Sequence, residues 1–272
     1  MQSRIVSIIS VAMLVAACGP APRGGQPDAA VGSTDGPMGA TDAALVTAVY
    51  AHTASALFKV DPETLAITKV GNFAWSNGSD QMTDLAIDQS GDMIGISYNA
   101  VYRVNAQTAQ ATRLNANLVG DFNGLTFVPA ALLGMSGGDV LVASRSTDGK
   151  IFRVEPQTGA TTVIGQMGGS VSSSGDIVSV VGLGVFLTGD NGGGADVLQK
   201  LSPPSLVATA VGSNIGFADL WGLGFWKNKL FGFSSNGDFI TIDRATGRGQ
   251  LVMNAGQPWF GAAVSTVAPV VE

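Results

Sequence analysis

Apolar and polar positions alternate with a period of two over Ile151–Gly165 (I-F-R-V-E-P-Q-T-G-A-T-T-V-I-G), broken once, at Pro156–Gly159. Such alternation sends successive side chains to opposite faces of a half-buried strand. Pro156 fixes φ for entry into a turn and Gly159 offers the positive φ its far end needs, so the stretch predicts two strands joined as a tight hairpin. The pattern recurs without gaps at Leu57–Gly71, Val101–Asn115, Leu198–Gly212 and Phe239–Met253, with starts 41–50 residues apart.

A period of that length leaves room for about four strands per unit, which points to propeller blades rather than solenoid coils. Each hairpin after the first is preceded by two more apolar runs: Asp84–Asp88 and Asp92–Ser97, Gly124–Val128 and Asp139–Ser144, Ile177–Gly182 and Gly184–Thr188, Gly222–Trp226 and Lys229–Ser234. Each blade thus reads as strands a, b, c and d, with c and d the repeated hairpin. The first hairpin is preceded only by Val46–His52, and one orphan run, Phe260–Val267, follows the last. Pairing these two completes the first blade and removes the sheet edges that invite aggregation. The expected fold is all-β, a propeller of five four-stranded blades closed by the C-terminal strand, with six blades as the alternative.

Composition supports strands and turns over helices. Glycine is abundant at 37 residues, and only Glu63, Glu155 and Glu272 are Glu among 20 acidic residues, although Glu is the better helix former. The net charge of −6 is spread along the chain, with no basic stripe of the kind that grips nucleic acid.

The N-terminus changes the picture from a free domain to a tethered one. Arg4 precedes an apolar run, Ile5–Ala17, that is too short to span a bilayer and reads as a secretion signal. It ends in Val15-Ala16-Ala17-Cys18, which resembles the lipobox of bacterial lipoproteins; the resemblance implies a diacylglycerol on Cys18, the chain's one cysteine. Several acyl chains on one terminus suffice for stable anchoring. Gly19, where an inner-membrane retention Asp would stand in enteric bacteria, implies the outer membrane of a Gram-negative cell by that sorting rule. Gly19–Asp42, rich in Gly, Pro and Ala, reads as a disordered tether reaching roughly 25–30 Å. The expected organisation is signal 1–17, lipidated Cys18 and tether 18–43, propeller 44–269 and tail 270–272. Together, lipobox and repeats resemble secreted bacterial β-propellers, many of them lipoproteins of unknown activity.

In a propeller the a–b and c–d turns share one face, here short and uniform. The b–c and d–a loops share the other, around the channel mouth, and vary in length and content, so function is expected there. The ligand-binding candidates on that variable face are His52, Trp75, Tyr98, Arg145, Asp219 and Trp259, whose rings could stack on sugars and whose polar groups could hold hydroxyls. Asp80, Asp121 and Asp148 fall on the same loops. Asp190, Asn191 and Asp196 are the candidates for calcium, although their loop lacks the D-x-[DN]-x-[DN]-G spacing. Asp84, Asn123, Asp176 and Asp219, at or just before inner strands, form a polar ring that could hold an ion or waters, or else satisfy neighbouring backbone.

Chemistry is sparsely provided. One histidine, His52, leaves no His-rich metal site, and lipidation removes Cys18 as a nucleophile. Glycosidases of this architecture pair Asp with an acidic Glu, yet Glu63 and Glu155 fall on the plain face. The expectation is a non-catalytic, lipid-anchored module of the cell envelope that binds a protein or glycan and needs no cofactor. The alternatives are a scaffold in outer-membrane assembly and an envelope polysaccharide hydrolase or lyase.

Overall fold

The structure, a computed structural model, describes residues 48–271. The expected signal, Cys18 and tether lie outside the described residues. The chain forms five four-stranded antiparallel blades, the second with one added short strand. Blade 1 is completed as expected: Gly261–Ala263 is its inner strand, paired antiparallel with Val49–His52 in the register Tyr50 to Ala263 and His52 to Gly261. The added strand, Ala74–Trp75, runs parallel to the outer strand of blade 2, Gln110–Asn115.

The repeated hairpins owe their uniformity to two demands. At the fifth position of the repeat, an Oδ1 of Asp61, Asn105 or Asp243 accepts the backbone N–H groups of the residues two and three further on, at 2.7–3.0 Å. This is the local bonding that makes Asp and Asn turn formers. At the ninth position all five copies, Leu65, Ala109, Gly159, Leu206 and Gly247, have φ between 58° and 72°. Gly159 shows the positive φ expected of it, and three non-glycine residues adopt the same conformation.

The fifteenth position explains why the copies agree so far past the turn. There the outer strand of one blade meets the c–d turn of the next. A Cβ on Gly165 would lie 2.9 Å from Ser205 O and Leu206 Cβ, and one on Gly71 would lie 3.6 Å from Thr108 O. At Gly212 the contact is with the Thr246 carbonyl itself. In blade 2 the position is Asn115, whose Nδ2 donates to Pro156 O at 2.6 Å beside Gly159. The repeat therefore encodes the joint between blades as well as the hairpin within one.

The apolar core lies between blades. Trp259 sits edge-on to Phe58 of blade 1 and Phe233 of blade 5 at centroid distances of 5.1 and 5.6 Å, and Phe122 meets Phe152 at 5.1 Å.

The C-terminal strand is shorter than its expected span, Phe260–Val267. It ends at Ala263, and the chain then crosses the plain face, touching the a–b connections of blades 2 to 5. Ser265 Oγ donates to Asp88 O at 2.9 Å, Thr266 Oγ1 donates to Asp139 Oδ2 at 2.6 Å, and Val181 N donates to Thr266 O at 2.7 Å. Lys227 N and Asn228 N donate to Pro269 O and Val270 O at 2.9 and 3.0 Å. Ser265, Thr266 and Ala268 are buried, so this segment lies across the plain-face end of the channel.

Candidate functional site

The inner strands converge on a common axial position, one residue before Leu85, Leu125, Ile177, Leu223 and Ala262. Blades 3, 5 and 1 place glycine there (Gly124, Gly222, Gly261), whereas blades 2 and 4 place Asp84 and Asp176. Glycine is needed for closeness: a Cβ on Gly222 would lie 2.9 Å from the Gly261 carbonyl carbon. The space left by the glycines admits the two carboxyls, both fully buried.

Those carboxyls collect a backbone N–H from every blade. Asp84 accepts from Leu85 at 2.8 Å and Leu125 at 2.5 Å; Asp176 accepts from Ile177 and Leu223 at 2.6 Å and from Ala262 at 3.2 Å. The two carboxyls also lie side by side, and adjacent buried carboxyls are most stable with a proton shared between them. Burial raises Asp176 to about 8, while burial and then the adjacent Asp176 charge raise Asp84 well above the usual carboxylate range. Of the expected polar ring, Asp84 and Asp176 thus bond neighbouring backbone. Asn123 stands one residue before the axial position and donates from Nδ2 to Ser174 O at 3.3 Å. Asp219 is on the surface.

His52 lies beside this pair, fully buried, with its Nδ1 3.0 Å from Thr53 O. That contact makes Nδ1 the protonated nitrogen and leaves Nε2 an acceptor, 3.6 Å from Asp84 Oδ1. Desolvation lowers the imidazole to about 4, so the contact is not an ion pair at neutral pH.

Stability should therefore fall with alkali. A buried carboxyl raised to about 8 from 3.8 stabilises fully below its unfolded value and loses that contribution as pH rises through 8. His52, lowered from 6.5 to about 4, has the opposite slope between those values, so the two oppose each other there and the net loss emerges above 6.5. Urea midpoints should decline from pH 6.5 to 9; a midpoint constant across that range would contradict the shared proton.

Above the axis, the variable face opens into two adjoining depressions. The first, about 390 Å³, is walled by Tyr98, Phe122, Asn123, Trp221 and Phe260, with Asp121 at its rim. The second, about 330 Å³, shares Ser146, Ser174 and Trp221 with it and adds Asp190, Asp196 and Asp219. Trp221 and Phe260 meet edge to face at 5.3 Å.

The sequence candidates divide accordingly. Tyr98, 52% exposed, lines the first depression and Asp219 the second. His52 and Trp259, expected as surface ligand contacts, have no exposed surface: one belongs to the axis and the other to the core between blades 5 and 1. Trp75 packs on Phe73 and Tyr102 at 5.4 and 4.9 Å, away from the mouth. Arg145 is held by Asp148 through two bonds of 2.9 and 2.7 Å, with the Phe152 ring 4.6 Å away.

The calcium candidates are drawn into local bonding. Asp190 accepts from Gly192 N at 2.8 Å, and Asn191 Nδ2 donates to Ala195 O at 3.5 Å. Asp196 turns inward, accepting Ser174 Oγ–H and Leu220 N–H at 2.8 Å each. Among the described residues no group of three or more His, Cys, Asp or Glu is arranged to hold a metal ion.

Trp221 and Phe122 did not stand out in the sequence, falling just outside the expected inner strands, and Phe260 read as the start of one. Their signal lies in alignment on the axial position: Thr83, Asn123, Trp221 and Phe260 each directly precede it, so the same step of the inner strand lines the mouth.

No family model matches the sequence, and no curated protein does. Among solved structures, the chain is similar to one in a crystal structure of a nidogen/laminin complex, with a TM-score of 0.52, 10% sequence identity, and coverage of 79% of this chain and 97% of that one. At that identity the likeness concerns the fold.

Proposed function

We propose that this β-propeller is a lipid-anchored binding module of the cell envelope, held through Cys18 and presenting its variable face to a protein or glycan. A propeller is commonly a protein-interaction module, and the similar solved chain belongs to a protein complex. The observation that carries the reading is the asymmetry of the channel. One end is crossed by Val264–Val271 through bonds to four blades, whereas the other opens between exposed Tyr98 and half-buried Trp221. Aromatic surface left accessible beside hydroxyls, amides and carboxylates is suited to a ligand with both apolar and polar parts.

The test is crosslinking of the full chain in envelope membranes, followed by purification and identification of what is attached. One defined partner should be recovered with the wild-type chain and lost with Trp221→Ala and Tyr98→Ala, both with unchanged thermal midpoints. Cys18→Ser should move the chain from the membrane to the soluble fraction. Recovery of the same material with both aromatic variants would remove the variable face from consideration, and membrane retention of Cys18→Ser would remove the anchor.

A polysaccharide hydrolase or lyase remains the second reading because of Asp196. Burial raises it to about 6, a value suited to proton transfer, and it sits by Asp190 and Asp219. That reading requires turnover of an envelope glycan that disappears in Asp196→Asn.

A further inference from the structure

The two depressions together have a chemical preference that neither a generic propeller face nor the repeat predicts. Their common wall is Trp221. The first depression presents aromatic surface from Tyr98, Trp221 and Phe260, and the second presents the carboxylates Asp190 and Asp219, with Asp121 on the rim of the first. Among the described residues, no Lys, Arg or His lines either one. The base beside them in sequence, Arg145, is already neutralised by its two bonds to Asp148.

The acidic groups also act on one another. Asp196 is raised first by burial, and the charges of Asp219 and Asp190 push it further in the same direction. A cation in place between these carboxylates would oppose that push. Asp121 and Asp219 both adopt positive φ, of 50° and 53°, a region that Asp enters more readily than most residues.

We propose that this double depression receives a cationic side chain, lysine or arginine, from a protein partner. This deepens the binding-module reading and rests on it. The aliphatic stem packs on Tyr98 and Trp221, whose π faces also attract the charge, and the ammonium or guanidinium donates to Asp190 and Asp219. Carboxylates and ring faces both accept or attract positive charge, so the site favours a donor-rich cation over a neutral glycan and repels phosphate or uronate groups.

The test uses the full-length chain in non-ionic detergent with three fluorescein-labelled probes: heptalysine, heptaglutamate and maltoheptaose. Heptalysine is expected to bind and the other two are not. Asp190→Asn and Asp219→Asn should each weaken heptalysine about 3- to 10-fold, and Trp221→Ala about 10-fold. Asp61→Asn and Asp243→Asn, which remove the same charge from exposed turns of the plain face, should leave binding within about 2-fold. Equal weakening by the plain-face variants would reduce the interaction to bulk attraction for an acidic protein and overturn the proposal. Failure of heptalysine to bind would overturn it too. Binding of maltoheptaose lost in Trp221→Ala would overturn the cation while leaving the binding face intact. The binding-module reading itself falls only if the crosslinked partner is indifferent to Trp221→Ala and Tyr98→Ala.

Discussion

Asp176→Ala should be among the most damaging single substitutions in the chain, costing about 3–5 kcal/mol of unfolding free energy. Asp176 accepts N–H groups of Ile177, Leu223 and Ala262, from blades 4, 5 and 1. Each buried donor left without an acceptor costs about 1–3 kcal/mol, and removing one member of a buried paired network lies in the 3–5 kcal/mol range. The buried Asp84 carboxyl would also lose its neighbour at the axis. The loss falls where the ring closes, because Ala262 belongs to the C-terminal strand and Leu223 to the last complete blade. Equilibrium urea unfolding of the variant, followed by circular dichroism, measures the effect; a loss below about 1 kcal/mol would mean that the axial carboxyls do not hold the blades together.

Gly212→Val should match or exceed that loss, at about 3 kcal/mol or more. Gly212 ends the fourth repeat at φ 71°, and any Cβ there would overlap the Thr246 carbonyl of the next blade. A β-branched residue adds a disfavoured backbone conformation to a collision with backbone, which unlike a flexible side chain cannot move aside. Gly71→Val, at the same repeat position but with 3.6 Å to the nearest backbone oxygen, should cost less. The pair of thermal midpoints tests the joint between blades. Equal effects at the two positions would show that the cost comes from glycine removal at the end of an outer strand and not from the packing of one blade on the next.

These two sites show what kinds of structure can be read from a single chain. The c–d hairpins were legible because their determinants are local: alternation of period two, a turn-forming Asp or Asn, and a ninth residue able to take positive φ. Five blades, with six as the alternative, and the closure were legible because they follow from counting strands between copies, and the unpaired runs at the two ends complete one blade by pairing with each other. Gly212 was visible as a repeat position, but its reason was not, since the atom it avoids lies in the next repeat.

The candidate site was less legible. Tyr98 and Asp219 were placed near the mouth by loop position alone. Trp259 and Trp221 have the same chemistry and similar positions at the edge of a strand, and yet the fold buries the first and leaves the second at the mouth. His52 looked available for chemistry and is instead a neutral ring sealed beside Asp84. The C-terminal run was apolar enough to read as one strand to Val267, whereas Ser265 and Thr266 bond turns of blades 2, 3 and 4 and carry the chain across the plain face.

By itself, then, the sequence determined the repeating hairpin, a ring of five or six blades with five favoured, and the pairing that closes the ring, because these depend on periodicity and on neighbours in the chain. Only the tertiary structure decided that two aspartates serve all five inner strands, which end of the channel stays open, and which aromatic rings face solvent. Those outcomes depend on convergence at one axis of residues more than a hundred positions apart, where three glycines make the room that two carboxyls fill.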